Sequence, residues 1–385
     1  MTLFQTLSQK PLYSEHIDTT RMPRAYEAIK HALSIPPIVH VVGTNGKGST
    51  GRFLALMLTQ QGKSVGHYTS PHLLRFNERL WKDGVLVEDE TLEVLHVKLS
   101  SLLPSALAQE LSYFEYTTFL AILAFATCDV IVLEAGLGGE WDATNVFPKV
   151  LSVITPIGMD HQSFLGDTLG EIAGTKLRSI RTATLMASSQ EPLVKEIARA
   201  IAKEKEVPLV EAHTLVCAKT KTAIDSYILY HSLASFFGEN LQTAYAAARM
   251  LGYKPDIATL LPLDLRARCE RVAPNVLLDC GHNPMAARAL VQTLGEKKYT
   301  FIYNSYADKD VVAILEILRP CVKEMHLMPL PQTGRETAQA TIEETMARFG
   351  IPLRPFAGEL DPVKDYVVFG SFAVAEQFLE GKFAQ

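Results

Sequence analysis

Residues Val41 to Thr50, near the start of the chain, combine the residue types that bind a phosphate chain. Glycines 43, 46 and 48 leave the backbone accessible, and Lys47 carries a positive charge among them. Backbone N–H groups, a lysine ammonium and the start of a helix together attract phosphate oxygens. The spacing, G-x-x-G-K-G-S-T, differs from the common G-x-x-x-x-G-K-[ST] loop because a glycine follows the lysine. The Mg²⁺-binding hydroxyl is therefore missing at that position. Either Ser49 or Thr50 replaces it, or the metal ligand comes from elsewhere.

Three more polar residues, Ser70, Glu134 and His161, come at or soon after the ends of short apolar runs. The runs are Ser64–Tyr68, Asp129–Glu134 and Val150–Thr155. Parallel strands place their carboxyl ends at one edge of a sheet, where ligands bind. A carboxylate beside a buried strand is costly without a partner, and Mg²⁺ prefers hard oxygen ligands. We therefore expect Glu134 to bind a metal at this edge. Taken singly, Ser70 is also explained by a turn before Pro71, and His161 by a surface loop.

The elements that must position these residues alternate along the chain. From Ile38 onward short β-like runs alternate with helical segments, which predicts an α/β fold with a mostly parallel P-loop ATPase sheet. A later set of runs predicts a smaller Rossmann-like α/β domain at the C-terminus: Asn275–Cys280, Tyr299–Tyr303, Met325–Met328 and Tyr366–Gly370. We place the junction between Leu261 and Arg271 and predict domains at residues 1–264 and 265–385.

Composition excludes several classes of protein. The chain has 385 residues, 48% hydrophobic, and a net charge of −5, so a nucleic-acid scaffold is not expected. The five cysteines form no C-x-x-C pair, which favours reduced thiols in a cytoplasmic protein without a zinc site. The N-terminus lacks an apolar core of signal-peptide length, and the apolar stretch Phe119–Leu133 is interrupted by polar residues. We expect a monomer that binds small molecules and neither membranes nor nucleic acid.

A set of segments in fixed order makes the chain resemble the folylpolyglutamate synthase and dihydrofolate synthase family, the folate branch of the Mur ligase-like amide-forming enzymes. The resemblance covers roughly residues 15 to 375. The matching segments are Gly43–Ser49, Thr69–Leu73, Arg75–Arg79, Tyr113–Tyr116, Glu134–Gly139, Asp142–Asn145, Gly158–His161, Phe164–Leu169 and Asp279–Pro284.

The resemblance implies a role for each matching residue. Lys47 and its loop would bind the ATP triphosphate, Ser70 and Glu134 a first Mg²⁺, and Glu134 and His161 a second. Lys176, which sequence alone would make a solvated helix lysine, stands where the family has a lysine carbamylated by CO₂. The carbamate oxygens would serve the second Mg²⁺.

The implied catalytic residues are Lys47, Glu134, His161 and Lys176. The implied nucleotide-binding residues are Thr44, Asn45, Gly46, Lys47, Gly48, Ser49, Thr50, Gln242, Arg268, Asp279 and His282. The implied pterin-site residues are Arg21, Met22, Phe114, Glu115, Asp142 and Ala143.

The chain departs from the family pattern at several positions. The Pro-Gly-Arg of the domain junction reads Arg266-Ala267-Arg268, so Arg268 is carried over as a nucleotide contact but the turn is not. A family asparagine corresponds to Gln242 or to Asn240. Glu140 and Trp141 stand where Arg and Leu are commoner, and Leu177–Ser179 replace the usual Ala-Gly-Ile after Lys176, which weakens the carbamylation prediction.

The implied reaction is ATP-dependent amide formation through an acyl phosphate, with L-glutamate as acceptor and dihydropteroate or reduced folates as donors. A bifunctional enzyme is expected. The alternatives are an enzyme that only extends the glutamate tail and a cell-wall Mur-type ligase. Against the latter stand Tyr113–Tyr116 and the lack of a uridine-binding domain before the loop. A P-loop GTPase or kinase is disfavoured by the loop spacing and by the absence of Asn-Lys-x-Asp from the sequence.

Overall fold

A computed structural model describes residues 1–11, 18–331 and 335–381 of the chain. These residues divide into two compact units. The first comprises Met1–Ile157, Asp167–His231 and Phe237–Leu263, and the second comprises Gly158–Gly166, Ser232–Phe236 and Asp264–Gln385. Two short segments that precede residue 264 thus pack with the second unit, which the contiguous sequence-based division does not anticipate. The assignment of functions to residues 1–264 and 265–385 stays a prediction.

Helices and strands alternate through both units. In chain order the strands are β1 (Ile38–Val42), β2 (Val65–Tyr68), β3 (Leu80–Lys82), β4 (Val85–Leu86), β5 (Val130–Glu134), β6 (Leu151–Ile154), β7 (Thr184–Met186), β8 (Leu209–Glu211), β9 (Glu270–Ala273), β10 (Val276–Leu278), β11 (Tyr299–Tyr303), β12 (Val322–Leu327), β13 (Leu353–Pro355) and β14 (Tyr366–Phe369). The helices are α1 (Leu3–Ser8), α2 (Arg21–Ile29), α3 (Lys47–Gln60), α4 (Asp89–Leu102), α5 (Ser105–Glu110), α6 (Tyr113–Ala124), α7 (Gln162–Leu165), α8 (Leu169–Leu177), α9 (Pro192–Glu204), α10 (Ala218–Tyr230), α11 (Phe237–Met250), α12 (Pro284–Leu294), α13 (Val311–Leu318), α14 (Gln339–Phe349) and α15 (Phe372–Glu380).

The sheet of the first unit has the strand order β4-β3-β2-β5-β1-β6-β7-β8. All neighbouring pairs from β2 to β8 are parallel, and only β2–β3 and β3–β4 are antiparallel. The register sets Val41 beside Glu134 and Tyr68 beside Leu133, so β1, β5 and β2 end at nearly the same level. The loops that follow these three strands therefore leave from one edge.

The sheet of the second unit has the order β13-β12-β11-β14-β10-β9, parallel except for β9–β10. Its buried core combines this sheet with α12, α13 and α14 and includes Leu290, Phe301, Ile314 and Ile342. Together the two sheets confirm the predicted α/β class with a mostly parallel sheet in each part of the chain.

Local sequence signals explain where the important helices begin. The Ser112 hydroxyl caps α6 by accepting from the Glu115 N–H, and the Glu115 carboxylate accepts from the Ser112 backbone N–H. Thr168 and Glu171 form the same pair of hydrogen bonds at the start of α8. At α12, Asn283 caps the helix and Pro284 occupies the first turn, where its missing N–H costs nothing. Among the described residues, no helix is both long and apolar enough to cross a membrane.

Candidate active site

The predicted phosphate loop joins β1 to α3. Gly46 precedes the helix with φ of +79°, a left-handed conformation that favours glycine, and α3 begins at Lys47. The N–H groups of Thr44 and Asn45 donate to the carbonyl oxygen of Pro156 at 2.9 and 3.2 Å, which ties the loop to the end of β6. Gly48, Ser49 and Thr50 form the buried first turn of α3. The loop therefore presents a helix N-terminus and a lysine, the arrangement that binds anions.

Glu134, at the end of β5, lies between this loop and the end of β2. Its carboxylate accepts hydrogen bonds from the Thr69 hydroxyl and, at 3.3 Å, from the Ser70 backbone N–H. The Lys47 ammonium lies 3.9 Å from Glu134 Oε1. Glu134 is only 4% exposed. The structure thus brings together Lys47, Ser70 and Glu134, and the side-chain oxygens of Ser70 and Glu134 fit a divalent cation such as Mg²⁺.

Lys176 is buried on α8, and its ammonium donates to the carbonyl oxygen of Gly43 at 3.0 Å. The side chain therefore reaches the phosphate loop from a neighbouring helix. A solvated helix lysine, the alternative from sequence alone, is not what the structure shows. Carbamylation of Lys176 stays a prediction.

His161 belongs to the second unit, where Asp160 organises its surroundings. The buried carboxylate of Asp160 accepts from the His161 backbone N–H at 2.8 Å and from Lys309 Nζ at 2.7 Å through Oδ1. Its Oδ2 accepts from Asn283 Nδ2 at 3.1 Å and lies 3.5 Å from His282 Nε2. Burial would raise the pKa of Asp160. Hydrogen bonding to His282 and the charges of His282, His161 and Lys309 outweigh burial and hold that pKa well below its usual range.

The side-chain ligand atoms of Asp160, His161 and His282 lie within 4.8 Å of one another. A cation could be held by such a set, but the Lys309 ammonium already neutralises the Asp160 carboxylate. His161 has φ of +53°, and its own N–H is fixed by Asp160. The cluster is therefore an ion-pair network that holds the backbone of His161 in place.

Asp279 and Arg268, predicted to bind the nucleotide, lie close together in the second unit. Asp279 accepts from the N–H groups of Cys269 and Gly281 at 2.8 and 2.7 Å, and burial raises its pKa. Arg268 lies over the Phe372 ring at 4.8 Å and contacts the Cys280 thiol. Ala267, which precedes Arg268, adopts φ of +52°, a left-handed conformation that is uncommon for residues other than glycine.

Of the two residues considered for the family asparagine, the structure brings Asn240 and not Gln242 to the phosphate loop. Asn240 packs against Gly46, directly before α3. Gln242 lies two residues further along α11, about 200° around the helix, and its Nε2 contacts the Ser188 hydroxyl at 3.4 Å. The side chains of Asn240 and Gln242 therefore leave α11 in different directions, and the order of the sequence motifs does not show this difference.

The predicted pterin-site residues form two groups. Arg21 Nε donates to Glu115 Oε2 at 2.6 Å, while Met22 turns into the core. The Phe114 ring lies 5.8 Å from that of Tyr68 and packs against Gly136. Asp142, in the loop after β5, accepts from the N–H groups of Leu137 and Thr144 at 2.8 and 2.9 Å. Ala143, next to it, is buried.

Sequence reasoning missed three residues at these sites: Thr69, Asp160 and Lys309. Thr69 and Asp160 directly precede predicted ligands, and Lys309 lies in the charged Asp308–Asp310 segment after β11. Position next to a predicted ligand was therefore the available signal for the first two.

The chain was compared with known proteins by sequence and by structure. Dihydrofolate synthase/folylpolyglutamate synthase from Haemophilus influenzae is 31% identical over 351 residues, which are 82% of this chain and 79% of the relative. Helicobacter pylori folylpolyglutamate synthetase is 37% identical with a TM-score of 0.80, covering 100% of this chain and 98% of that one. Escherichia coli FolC in complex with DHPP and ADP is 26% identical with a TM-score of 0.79, covering 99% and 97%. Comparison with models of protein families returned no match.

The phosphate loop at the edge of a mostly parallel sheet, with a buried glutamate at the next strand end, defines a nucleotide-binding α/β enzyme of the P-loop type. The extent of the similarity to the Haemophilus and Helicobacter proteins is more specific. The chain belongs to the dihydrofolate synthase/folylpolyglutamate synthase family, and it is an ATP-dependent ligase.

Proposed function

We propose that this chain is a bifunctional enzyme that joins L-glutamate both to dihydropteroate and to the glutamate tail of reduced folates. The observation that carries the proposal is the convergence of Lys47, Ser70 and Glu134 at three strand ends, in a chain related to dihydrofolate synthase/folylpolyglutamate synthases. The relative bound to DHPP and ADP supports a pterin donor and an adenine nucleotide.

The proposed reaction has two steps, formation of an acyl phosphate and then of the amide. A carboxylate oxygen of the folate donor attacks the γ-phosphorus of ATP, and the bond to ADP breaks to leave an acyl phosphate. The α-amine of glutamate then attacks the acyl carbon, inorganic phosphate leaves, and the amine loses a proton. Lys47 and the N–H groups at the start of α3 orient the triphosphate and stabilise its charge.

Ser70 and Glu134 would hold a first Mg²⁺, Glu134 would also serve a second, and His161 and a carbamylated Lys176 stay proposed metal ligands. Mg²⁺ supplies charge neutralisation on the transferring phosphoryl group. Buried Glu134 keeps its carboxylate oriented through Thr69 and the Ser70 backbone. In this proposal His161 is a metal ligand. Its neighbour Asp160 is not, because the Asp160 carboxylate already forms an ion pair with Lys309.

An assay with ATP and L-glutamate, comparing dihydropteroate with tetrahydrofolate, tests the proposal. Both donors should be consumed with release of ADP, and the near-isosteric Glu134→Gln should lose both reactions. Glu196→Gln, on the exposed face of α9, is the matched control and should behave as wild type. Failure with both donors would overturn the proposal.

Tail extension alone is the second candidate, because the Helicobacter relative is described only as a folylpolyglutamate synthetase. Consumption of tetrahydrofolate without any consumption of dihydropteroate would establish it. We further propose that the enzyme is cytoplasmic, supported by its five free cysteines. We also propose that it is a monomer, and light scattering on the purified chain would show its mass.

A further inference from the structure

A cavity lies in the first unit, away from the phosphate loop. Its volume is about 410 Å³, and it is lined by Tyr26, Val146, Phe147, Pro148, Lys149 and Arg181. Lys149 precedes β6 and Arg181 precedes β7, so both cations stand at the amino-terminal edge of the parallel strands. The candidate active site occupies the opposite edge. The described lining residues carry two positive charges and no carboxylate.

The two cations are not neutralised by a direct partner. Lys149 Nζ donates to His40 Nδ1 at 2.9 Å, to the Ser179 carbonyl oxygen at 3.4 Å and to the Asn145 side-chain oxygen. All three acceptors are uncharged. Arg181 forms no ion pair with any carboxylate in the described part of the chain. Burial, and then the nearby Arg181, lower the pKa of Lys149 to about 7. An anion between them would relieve this repulsion.

A directional chain of hydrogen bonds fixes the Lys149 side chain. An ammonium group can only donate hydrogen bonds, so His40 must accept the one from Lys149 at Nδ1. The ring then carries its proton on Nε2, which lies 2.8 Å from Thr144 Oγ1. Burial, with Lys149 and Arg181 nearby, holds the pKa of His40 well below its usual range, which keeps the ring neutral. Thr144 donates in turn to the Asp142 carboxylate. Asp142 is therefore hydrogen-bonded to Lys149 only through two intervening side chains, although its charge also favours the ammonium, and the ammonium is oriented before any anion binds.

We propose that this cavity is a binding site for a small oxyanion, a phosphate or a carboxylate, held between Lys149 and Arg181. The oriented Lys149 ammonium and the nearby Arg181 guanidinium can both donate charge-assisted hydrogen bonds to such a group, and a guanidinium matches the planar geometry of carboxylate and phosphate oxygens. The Tyr26 and Phe147 rings, 5.2 Å apart, supply an apolar wall for the rest of the ligand. The site is separate from the phosphate loop, so its occupancy does not depend on the proposed ligase reaction.

The test is calorimetric titration of the full chain, saturated with ADP and Mg²⁺, with inorganic phosphate and with glutarate at constant ionic strength. At least one oxyanion should bind, and Arg181→Ala should weaken binding roughly tenfold or more, the usual scale of a charge-assisted hydrogen bond. Arg249→Ala, which removes an exposed arginine on α11, should leave the affinity unchanged. The stronger of the two probes identifies the oxyanion class.

A second variant separates this site from the nucleotide site. Lys47→Ala removes the lysine of the phosphate loop and should leave oxyanion binding to the Lys149 cavity intact. Binding lost in Lys47→Ala but retained in Arg181→Ala would overturn the proposal, as would failure of both probes to bind. Because Arg181 is exposed and Lys149 stays in place, Arg181→Ala should fold normally, which circular dichroism checks.

Discussion

At the scale of single residues, Lys176 is the most informative side chain to change. Its buried ammonium lies 3.0 Å from the Gly43 carbonyl, so any modification of the nitrogen would be placed at the phosphate loop. Lys176→Ala should lower kcat at least about 100-fold, the scale of losing one preorganised electrostatic group. Small carboxylic acids such as acetate should restore part of the activity if a carbamate normally supplies the oxygens.

Lys203→Ala, on α9, provides the matched loss of a helix lysine and should keep full activity. ¹³C NMR of the wild-type protein in ¹³C-bicarbonate should show a carbamate signal that Lys176→Ala lacks. Wild-type turnover by Lys176→Ala would remove the residue from the reaction.

His72 predicts how stability responds to acid. Burial, and then the adjacent Arg79, lower the pKa of His72 to about 4, and Arg79 Nε donates to its Nδ1 at 2.8 Å. The unfolded chain takes up this proton near pH 6.5, so between pH 6.5 and 4 the unfolded state binds more protons. The stability contribution is therefore present above pH 6.5 and is lost as the pH falls towards 4.

His72→Gln removes this titration. Its free energy of unfolding, measured by urea at several pH values, should fall less than that of the wild type between pH 6.5 and 4, by about 2 kcal/mol. His31→Gln, which changes an exposed histidine, should retain the wild-type difference. Parallel curves for His72→Gln and the wild type would show that His72 does not titrate in this way.

At the scale of secondary structure, the loop between β1 and α3 tolerates no side chain at Gly43. A Cβ there would meet both the hydroxyl and the backbone carbonyl of Thr155, at the end of β6. Because backbone is hard to move, Gly43→Ala should lower the free energy of unfolding by about 1–3 kcal/mol and distort the loop. Urea unfolding and ADP affinity measure the two effects.

Gly170→Ala is the matched control because a Cβ at that helical position meets only ordinary contacts at 3.9 Å and beyond. This change should be neutral or slightly stabilising, since alanine favours helix over glycine by about 1 kcal/mol. A Gly43→Ala protein as stable as Gly170→Ala would mean that the loop can shift away from Thr155.

The elements differ in how readily the sequence predicts them. Strands β1, β5 and β6 are nearly continuous apolar runs because helices cover both faces of a parallel sheet, and their ends locate Glu134 and the phosphate loop. The direction in which a side chain leaves a helix is harder to predict from the sequence, as the choice between Gln242 and Asn240 shows. The pairing of Arg21 with Glu115 joins α2 to α6 over 94 positions and has no local signal.

At the scale of the whole molecule, chain order and packing disagree at Gly158–Gly166. This segment follows β6 of the first sheet, yet it packs with the second unit. The reason is the Asp160 carboxylate, whose partners Asn283 and Lys309 lie 123 and 149 positions further on. No periodicity or composition shift in the sequence marks such a pairing, because it is made by single polar side chains. His161, proposed as a metal ligand, is consequently anchored by residues of the second unit.

Removing the Lys309 ammonium tests this anchor. Lys309 and Asp160 have side chains only 8% and 5% exposed, so Lys309→Met leaves a buried carboxylate without its cation. Breaking such a pair costs about 3 kcal/mol or more, and the second unit should lose that much free energy of unfolding. Amide hydrogen exchange should accelerate within Gly158–Gly166, where the His161 N–H depends on Asp160.

Lys309→Arg keeps the charge and should restore most of the protection, while Lys298→Met, which removes an exposed lysine of the same unit, should change neither the free energy of unfolding nor the exchange rate. Unaltered exchange in Lys309→Met would show that Asn283 and His282 suffice to hold Asp160, and that the position of His161 does not depend on Lys309.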